Sequence, residues 1–294
     1  DVVAKLRGIL HQKKIGHTGT LDPQAKGVLA VGLGLGTKTF DLLPDHWKTY
    51  EAEVTFGVQT DTEDIWGNVL KTHDVSKTPE EIIQAICSFG GTYDQIPPMY
   101  SALKVDGKKL YELAREGKVV ERKSRKVQIY DIRIKEMKLP RIRMEVSCSK
   151  GTYIRTLCND VGEVLGVGGC MESLLRTKVS RFELKDSMKL ADIEKAKNEG
   201  RTEEIILPLD EVFVEYPKII VTGRQAQLAY NGNPFPKESA KNLILPGKDG
   251  GENDLSDIFS RYKKYRVYDE QGRFIAIYSY QKQRQLFRIE KMFF

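Results

Sequence analysis

Gly16-His17-Thr18-Gly19-Thr20-Leu21-Asp22-Pro23 places one aspartate inside a run dense in turn-formers and small polar residues. Gly16 and Gly19 can take positive φ, and Pro23 pushes Asp22 out of the helical region. This geometry suits a carboxylate held out on a shaped loop. Directly downstream, Gly27-Val28-Leu29-Ala30-Val31-Gly32 reads as a short buried strand, which gives the loop a rigid base. On pattern alone, an aspartate so placed is a turn residue or a helix cap.

On the N-terminal side, Val2, Val3, Leu6, Ile9 and Leu10 have helical spacing and make one apolar face. On the other side, residues 48 to 57 alternate, with Tyr50, Ala52, Val54 and Phe56 on one face and Glu51, Glu53 and Thr55 on the other. Thr78-Pro79-Glu80-Glu81 is a capping box with proline at the first helical position, opening a helix that carries Ile82, Ile83 and Ile86. Residues 125 to 135 and 142 to 149 read as strands; Ile142, Met144, Val146 and Cys148 share a face of the second. After Gly151 the period switches, and Ile154, Leu157, Cys158, Val161 and Leu165 form one helical stripe. Residues 191 to 198 read as a further helix. Strand runs with inserted helices predict an α+β fold with a mixed, mostly antiparallel central sheet and flanking helices.

The pattern changes near Tyr216-Pro217. From Lys218 to Phe294 the chain reads as a small β-rich module, with residues 265–268 and 274–280 joined as a hairpin through Asp269-Glu270-Gln271-Gly272. Two domains are therefore expected, 1–216 and 217–294. Lys248 to Asn253 is a glycine- and charge-rich loop.

The chain of 294 residues is long enough for a large domain and a small one, and its 40% hydrophobic and 30% charged residues are those of an ordinary globular protein. No apolar run approaches the ~20 residues of a membrane span, and no signal peptide is visible. Cys87, Cys148, Cys158 and Cys170 form no CxxC pair and lie among apolar or small residues, as reduced buried thiols do. This predicts a cytoplasmic protein without structural zinc. A net charge of +6 permits nucleic-acid binding without requiring it. Of two basic runs, Arg122-Lys123-Ser124-Arg125-Lys126 reads equally well as a solvated face. Arg261-Tyr262-Lys263-Lys264-Tyr265-Arg266 alternates basic and aromatic residues, which suits phosphate contact beside stacking.

The run His17-Thr18-Gly19-Thr20-Leu21-Asp22-Pro23 resembles the catalytic loop of the TruB-type tRNA pseudouridine synthases. The resemblance continues in order through Gly36-Thr37-Lys38, Tyr50, Thr60-Asp61-Thr62-Glu63-Asp64 with Gly67, and Pro97-Pro98-Met99-Tyr100-Ser101-Ala102-Leu103-Lys104. It extends to Leu110–Arg115, Gly151-Thr152-Tyr153-Ile154-Arg155-Thr156 and Leu174-Leu175-Arg176-Thr177. It implies the pseudouridine synthase fold and, for residues 217–294, a domain similar to the RNA-binding PUA barrel. Family members begin with a strand and a Lys-Pro-x-Gly-x-Thr-Ser stretch before the first helix. Both are absent here, so a missing N-terminal strand is expected.

The implied reaction isomerises uridine to pseudouridine in the T-loop of tRNA (position 55). It needs no redox equivalent, phosphate donor or metal, and no cofactor motif is visible. A single carboxylate can serve as nucleophile or as stabiliser of positive charge at C1′. The resemblance gives that role to Asp22, pairs it with Arg155, and stacks the extruded uracil on Tyr50. Arg155 stands in the first turn of its helix, where a positive charge opposes the dipole, and so is expected to have a partner. Its planar fork suits a carboxylate. Tyr50 shares a face with core residues, so it reads equally as a core tyrosine. Tyr153 and Leu174 are expected at the pocket wall or in the core. His17, Lys38, Thr20 and Lys104 complete the expected RNA-binding set, while His11, His46 and His73 read as surface residues. The expected partner is the tRNA T-arm and the expected state a monomer. Two rivals stand beside this reading: an RNA-guided synthase of the same fold, and a non-catalytic RNA-binding or chaperone protein.

Overall fold

Alternating side chains from Lys48 to Phe56 force a strand whose two faces meet different surroundings. In the computed structural model of the protein, this strand lies inside a seven-stranded sheet. The structure describes residues 2–43, 46–247 and 255–294. The strand order is Phe182–Glu183, Gly169–Val179, Lys48–Phe56, Arg141–Cys148, Arg125–Lys138 and Gly91–Gln95, every neighbour antiparallel. The short Lys26–Gly27 strand adds in parallel to Gly169–Val179, opposite Leu175 and Arg176. The sheet is thus mixed and mostly antiparallel, as the sequence predicts.

Register explains the core. Tyr50, Ala52 and Val54 stand opposite Val146, Met144 and Ile142, and all six are buried. This face is covered by the Pro79–Cys87 and Ile154–Leu165 helices, whose Ile82, Ile86, Leu157, Cys158 and Val161 join the same cluster. Each large aliphatic side chain buried there contributes about 1.5–3 kcal/mol. The first helix starts where expected: Thr78 accepts from the Glu81 N–H, and the Glu81 carboxylate accepts from the Thr78 N–H. Ile83, on its far side, is exposed.

The second helix sits close to the sheet because Gly162 lacks a side chain. A Cβ there would stand 2.2 Å from the Gly169 backbone nitrogen. The chain then leaves the helix through Gly166 at φ 72°, returning directly into the Gly169–Val179 strand.

These elements belong to a compact unit of Gly19–Ala30 and Asp45–Ser187; a second unit comprises Asp1–Thr18, Val31–Pro44 and Met188–Phe294. The second unit contains a six-stranded sheet in the order Phe235–Pro236, Leu286–Met292, Phe274–Gln281, Lys264–Tyr268, Lys218–Ile220 and Leu243–Ile244. Phe235, Phe259, Tyr265, Tyr278 and Phe287 fill its core. The Val2–Leu10 and Leu190–Asn198 helices pack on each other within the same unit. Both units are discontinuous in sequence, so they do not coincide with a cut at residue 216.

Three expectations need amendment. Residues 27–32 do not form one strand: Lys26–Gly27 and Val31–Leu33 are separate, because Gly27, at φ 113°, turns the chain off the sheet edge. Cys87 is exposed, whereas Cys148, Cys158 and Cys170 are buried. Tyr265 is a core residue whose hydroxyl donates to the Tyr262 carbonyl, so it is not a stacking surface. Alternation buries it while Arg261 and Lys263 remain exposed. The Lys248–Asn253 loop lies outside the described residues.

Gly162→Ala should lower stability by about 1–3 kcal/mol, because backbone rather than a flexible side chain blocks the added methyl. The shift in the urea unfolding midpoint measures it; an unchanged midpoint would refute the close-approach argument.

Candidate active site

Asp22 lies on the segment between Gly19 and the Lys26–Gly27 strand, where the Ala25 N–H donates to its carbonyl at 3.0 Å. The segment is tied at both ends by Arg176. This side chain, 1% exposed, donates from Nε to the Val28 carbonyl at 2.7 Å and from Nη2 to the Gly19 carbonyl at 3.0 Å. Its own carbonyl accepts from the Val28 N–H. A Cβ on Gly27 would stand 2.1 Å from that same carbonyl oxygen, so the backbone passes where only glycine fits.

Arg155 approaches Asp22 from the start of the Ile154–Leu165 helix. Its Nη2 lies 3.0 Å from Asp22 Oδ1, with the two side chains 5% and 33% exposed. The fork is shared rather than bidentate. Nη2 also donates to the Tyr100 carbonyl at 2.7 Å, while Nη1 donates to the Thr62 carbonyl at 3.3 Å and lies 3.9 Å from Asp64 Oδ2. Burial raises the Asp22 carboxyl above its ordinary range, Arg155 pulls it back, and Asp64 adds to the rise. The cation therefore offsets only part of the desolvation. Arg155 Nε and the Ser101 hydroxyl, both buried, have no hydrogen-bond partner among the described residues.

The segment carrying Asp64 is built to hold its position. Asp64 Oδ1 accepts from the Thr62 hydroxyl at 2.7 Å and the Trp66 N–H at 3.2 Å. The Ile65 N–H donates to the Met171 carbonyl. Glu63, at φ 65°, accepts from the Thr156 hydroxyl at 2.5 Å, one residue beyond Arg155. Burial pushes the Glu63 carboxyl up to about 7.

Tyr50 enters this neighbourhood from the sheet. It is 6% exposed and belongs to the main core, and burial pushes its phenol up to about 12 while a hydrogen bond from Arg176 opposes the rise. The charge of Asp22 also acts on it. Leu174 packs on the same core. Tyr153 precedes the Arg155 helix and is held through its backbone, whose N–H and C=O pair with the Gln95 side chain. Thr20 is exposed on the Asp22 segment, and Lys104 is exposed in a two-stranded hairpin with Lys108–Lys109. His17 and Lys38 belong to the other compact unit. There His17 pairs with Val31 across a short antiparallel strand pair, and Lys38 donates to the Met292 carbonyl at 3.4 Å. His11, His46 and His73 are exposed.

The structure thus joins Asp22, Arg155 and Tyr50, and adds Asp64 and Arg176. Neither addition was singled out in the sequence, although Asp64 ends the Thr60–Asp64 run and Arg176 lies within Leu174–Thr177. No periodicity distinguishes a charged residue that reaches across the fold from one that faces water. Among the described residues, no group of acidic, cysteine or histidine side chains could hold a metal ion, and no helix is long and apolar enough to cross a membrane.

Comparison with known proteins shows which family the sequence is similar to. The profile described as TruB family pseudouridylate synthase (N terminal domain) matches residues 7–154, and that of the tRNA pseudouridylate synthase B C-terminal domain matches residues 155–214. The tRNA pseudouridine synthase B of Lachnoclostridium phytofermentans is 47% identical over 301 residues, covering 100% of this chain and 94% of the relative. That of Alkaliphilus oremlandii is 49% identical over 233 residues, covering 79% of this chain and 77% of the relative. A chain solved in a Cbf5-Nop10-Gar1 complex superposes with a TM-score of 0.69 at 24% identity, covering 100% of this chain and 80% of that one. That last similarity is one of fold.

The raised Glu63 carboxyl has a defined pH signature. Its folded-state value, about 7, exceeds the ordinary 4.5, so its stabilising contribution is full below 4.5 and is lost as pH rises through 7. Glu63→Gln should therefore flatten the decline in stability between pH 5 and about 8. Urea unfolding across that range tests this, and parallel curves for the two proteins would exclude it.

Proposed function

The chain belongs to the TruB family of pseudouridylate synthases, and we propose that it isomerises the T-loop uridine of tRNA with Asp22 as the reacting carboxylate. The single observation that carries this reading is the Asp22–Arg155 pair at 3.0 Å, joining a loop carboxylate to a guanidinium buried in the first turn of a helix. A cation held there against the helix dipole needs a compensating anion, and the arrangement keeps a carboxylate charged in a poorly hydrated site.

In the isomerisation the C1′–N1 bond breaks, the base turns, and C1′ joins C5; the C5 proton is lost and N1 gains one. Ionised Asp22 either attacks or stabilises the cationic carbon left when N1 departs. The uridine must first leave its stack, at a cost of a few kcal/mol. Tyr50 offers a flat, largely buried face for the extruded base, and its raised phenol stays neutral throughout. Arg176 is a positioning residue: by fixing the carbonyls of Gly19 and Val28 it fixes the path on which Asp22 is presented.

Residues 1–216 supply the catalytic domain on this reading, and 217–294 supply a PUA-like module that binds RNA through exposed groups such as Arg261 and Lys263. His17, Lys38, Thr20, Tyr153, Leu174 and Lys104 are assigned to RNA engagement. The enzyme acts in the cytoplasm as a monomer without a cofactor. Identities of 47% and 49% to proteins named tRNA pseudouridine synthase B, against 24% to the Cbf5 complex chain, favour tRNA as the substrate over a guided target.

An unmodified T-arm hairpin, incubated without guide RNA or partner protein, should acquire pseudouridine at the T-loop uridine by chemical mapping at nucleotide resolution. Asp22→Asn should abolish product while leaving RNA binding intact. Tight binding without product from the unaltered chain would sink the proposal. Arg155→Gln should cut kcat/KM by about 100-fold or more at neutral pH. It should also move the acidic limb of the pH profile upward, since burial and Asp64 would then act on Asp22 unopposed. A limb that stays in place would show that Asp22 does not titrate in the rate.

A further inference from the structure

We infer that Lys48 is a phosphate-binding subsite beside the Asp22 loop, taking a phosphodiester of the RNA adjacent to the uridine that stacks on Tyr50. The inference rests on the synthase reading and deepens it. Lys48 opens the central strand two residues before Tyr50, so both project from one face about 7 Å apart. Its side chain lies over the Asp22 loop: Nζ is 2.7 Å from the point that a Cβ on Gly19 would occupy.

The local charge balance favours an incoming anion. Burial and then the repelling Arg176 guanidinium lower the Lys48 ammonium below its ordinary range, and the Cys148 thiol is what opposes them. Burial pushes that thiol up to about 11, so it is neutral and supplies no counter-charge. Among the described residues no carboxylate forms an ion pair with Lys48 or with Arg176, and Arg176 spends its donors on the Gly19 and Val28 carbonyls and Tyr50. Asp22 and Asp64 are engaged by Arg155. Among the described residues, these two neighbouring cations thus lack anionic partners. A half-buried lysine ordinarily pairs or extends its ammonium into water. Here the ammonium lies close to the backbone of the loop that presents Asp22. Lysine meets phosphate as a compact point charge, with no need for bidentate geometry. An RNA chain whose uridine is extruded onto Tyr50 brings such a charge to this place.

The test uses the full chain and a T-arm hairpin, with dissociation constants measured across a potassium chloride series. Lys48→Gln should bind about tenfold more weakly, the usual loss of one charge-assisted contact. Its dependence of log Kd on log salt should be shallower by about one ion. Lys48→Arg should retain the wild-type slope. Should the glutamine variant fail to fold, Lys48→Met keeps the apolar stem while removing the charge. Hairpins with a single neutral methylphosphonate next to the target uridine then locate the partner. One linkage should weaken wild type by about tenfold yet leave Lys48→Gln unaffected. An unchanged salt slope, or losses that multiply at every linkage, would overturn the subsite. Product formation by wild type on the same hairpin reports separately on the synthase reading. Product with an unchanged slope removes only the subsite; binding without product, with the slope reduced as expected, removes only the chemistry.

Discussion

The buried guanidinium of Arg155 is the constraint around which the site is organised. A cation 5% exposed, in the first turn of a helix, is unfavourable on two counts: it loses hydration and it opposes the helix dipole. It is tolerated because three separate segments converge on it. The Asp22 loop and Asp64 supply negative charge, and the Thr62 and Tyr100 carbonyls accept further hydrogen bonds from its two Nη groups. Removing any one would leave a buried charge short of partners, so these segments are ordered together.

Arg176 solves a different problem on the other side of the loop. It binds backbone carbonyls rather than carboxylates, and so fixes the course of the chain without neutralising Asp22. The division matters chemically. A single arginine that both shaped the loop and paired with the carboxylate would lower the reactivity of the group it positioned. With two, the loop is held rigidly while Asp22 keeps one third of its side-chain surface open. Its carboxyl also remains above its ordinary range, because burial and Asp64 outweigh Arg155.

The sheet transmits this precision. Tyr50, Lys48 and Arg176 come from adjacent antiparallel strands, with Arg176 directly opposite Tyr50. Their spacing is therefore set by backbone hydrogen bonds rather than by flexible side chains. Gly162 brings the Arg155 helix close to the same sheet, so the two arginines are fixed relative to one framework.

What the sequence determined by itself was local. Alternation gave the buried faces of the Lys48–Phe56 and Arg141–Cys148 strands, the Thr78 capping box gave a helix start, and the stripe from Ile154 to Leu165 gave the helix that carries Arg155. The ordered motifs, through the family resemblance they carry, point to Asp22, Tyr50 and Arg155. The break between Gly27 and Val31 was not legible, because an apolar run does not reveal that one of its glycines turns away from the sheet. Nor was the exposure of Cys87 or the burial of Tyr265, both of which depend on where an element lies in the fold. Only tertiary structure decided that the Arg155 fork would be divided among four acceptor groups, that Asp64 would join it, and that Arg176 would clamp the loop. Each of those interactions links residues far apart in the chain. Periodicity reports which face of an element is apolar, but the partner of a buried charge is set by the packing of separate elements.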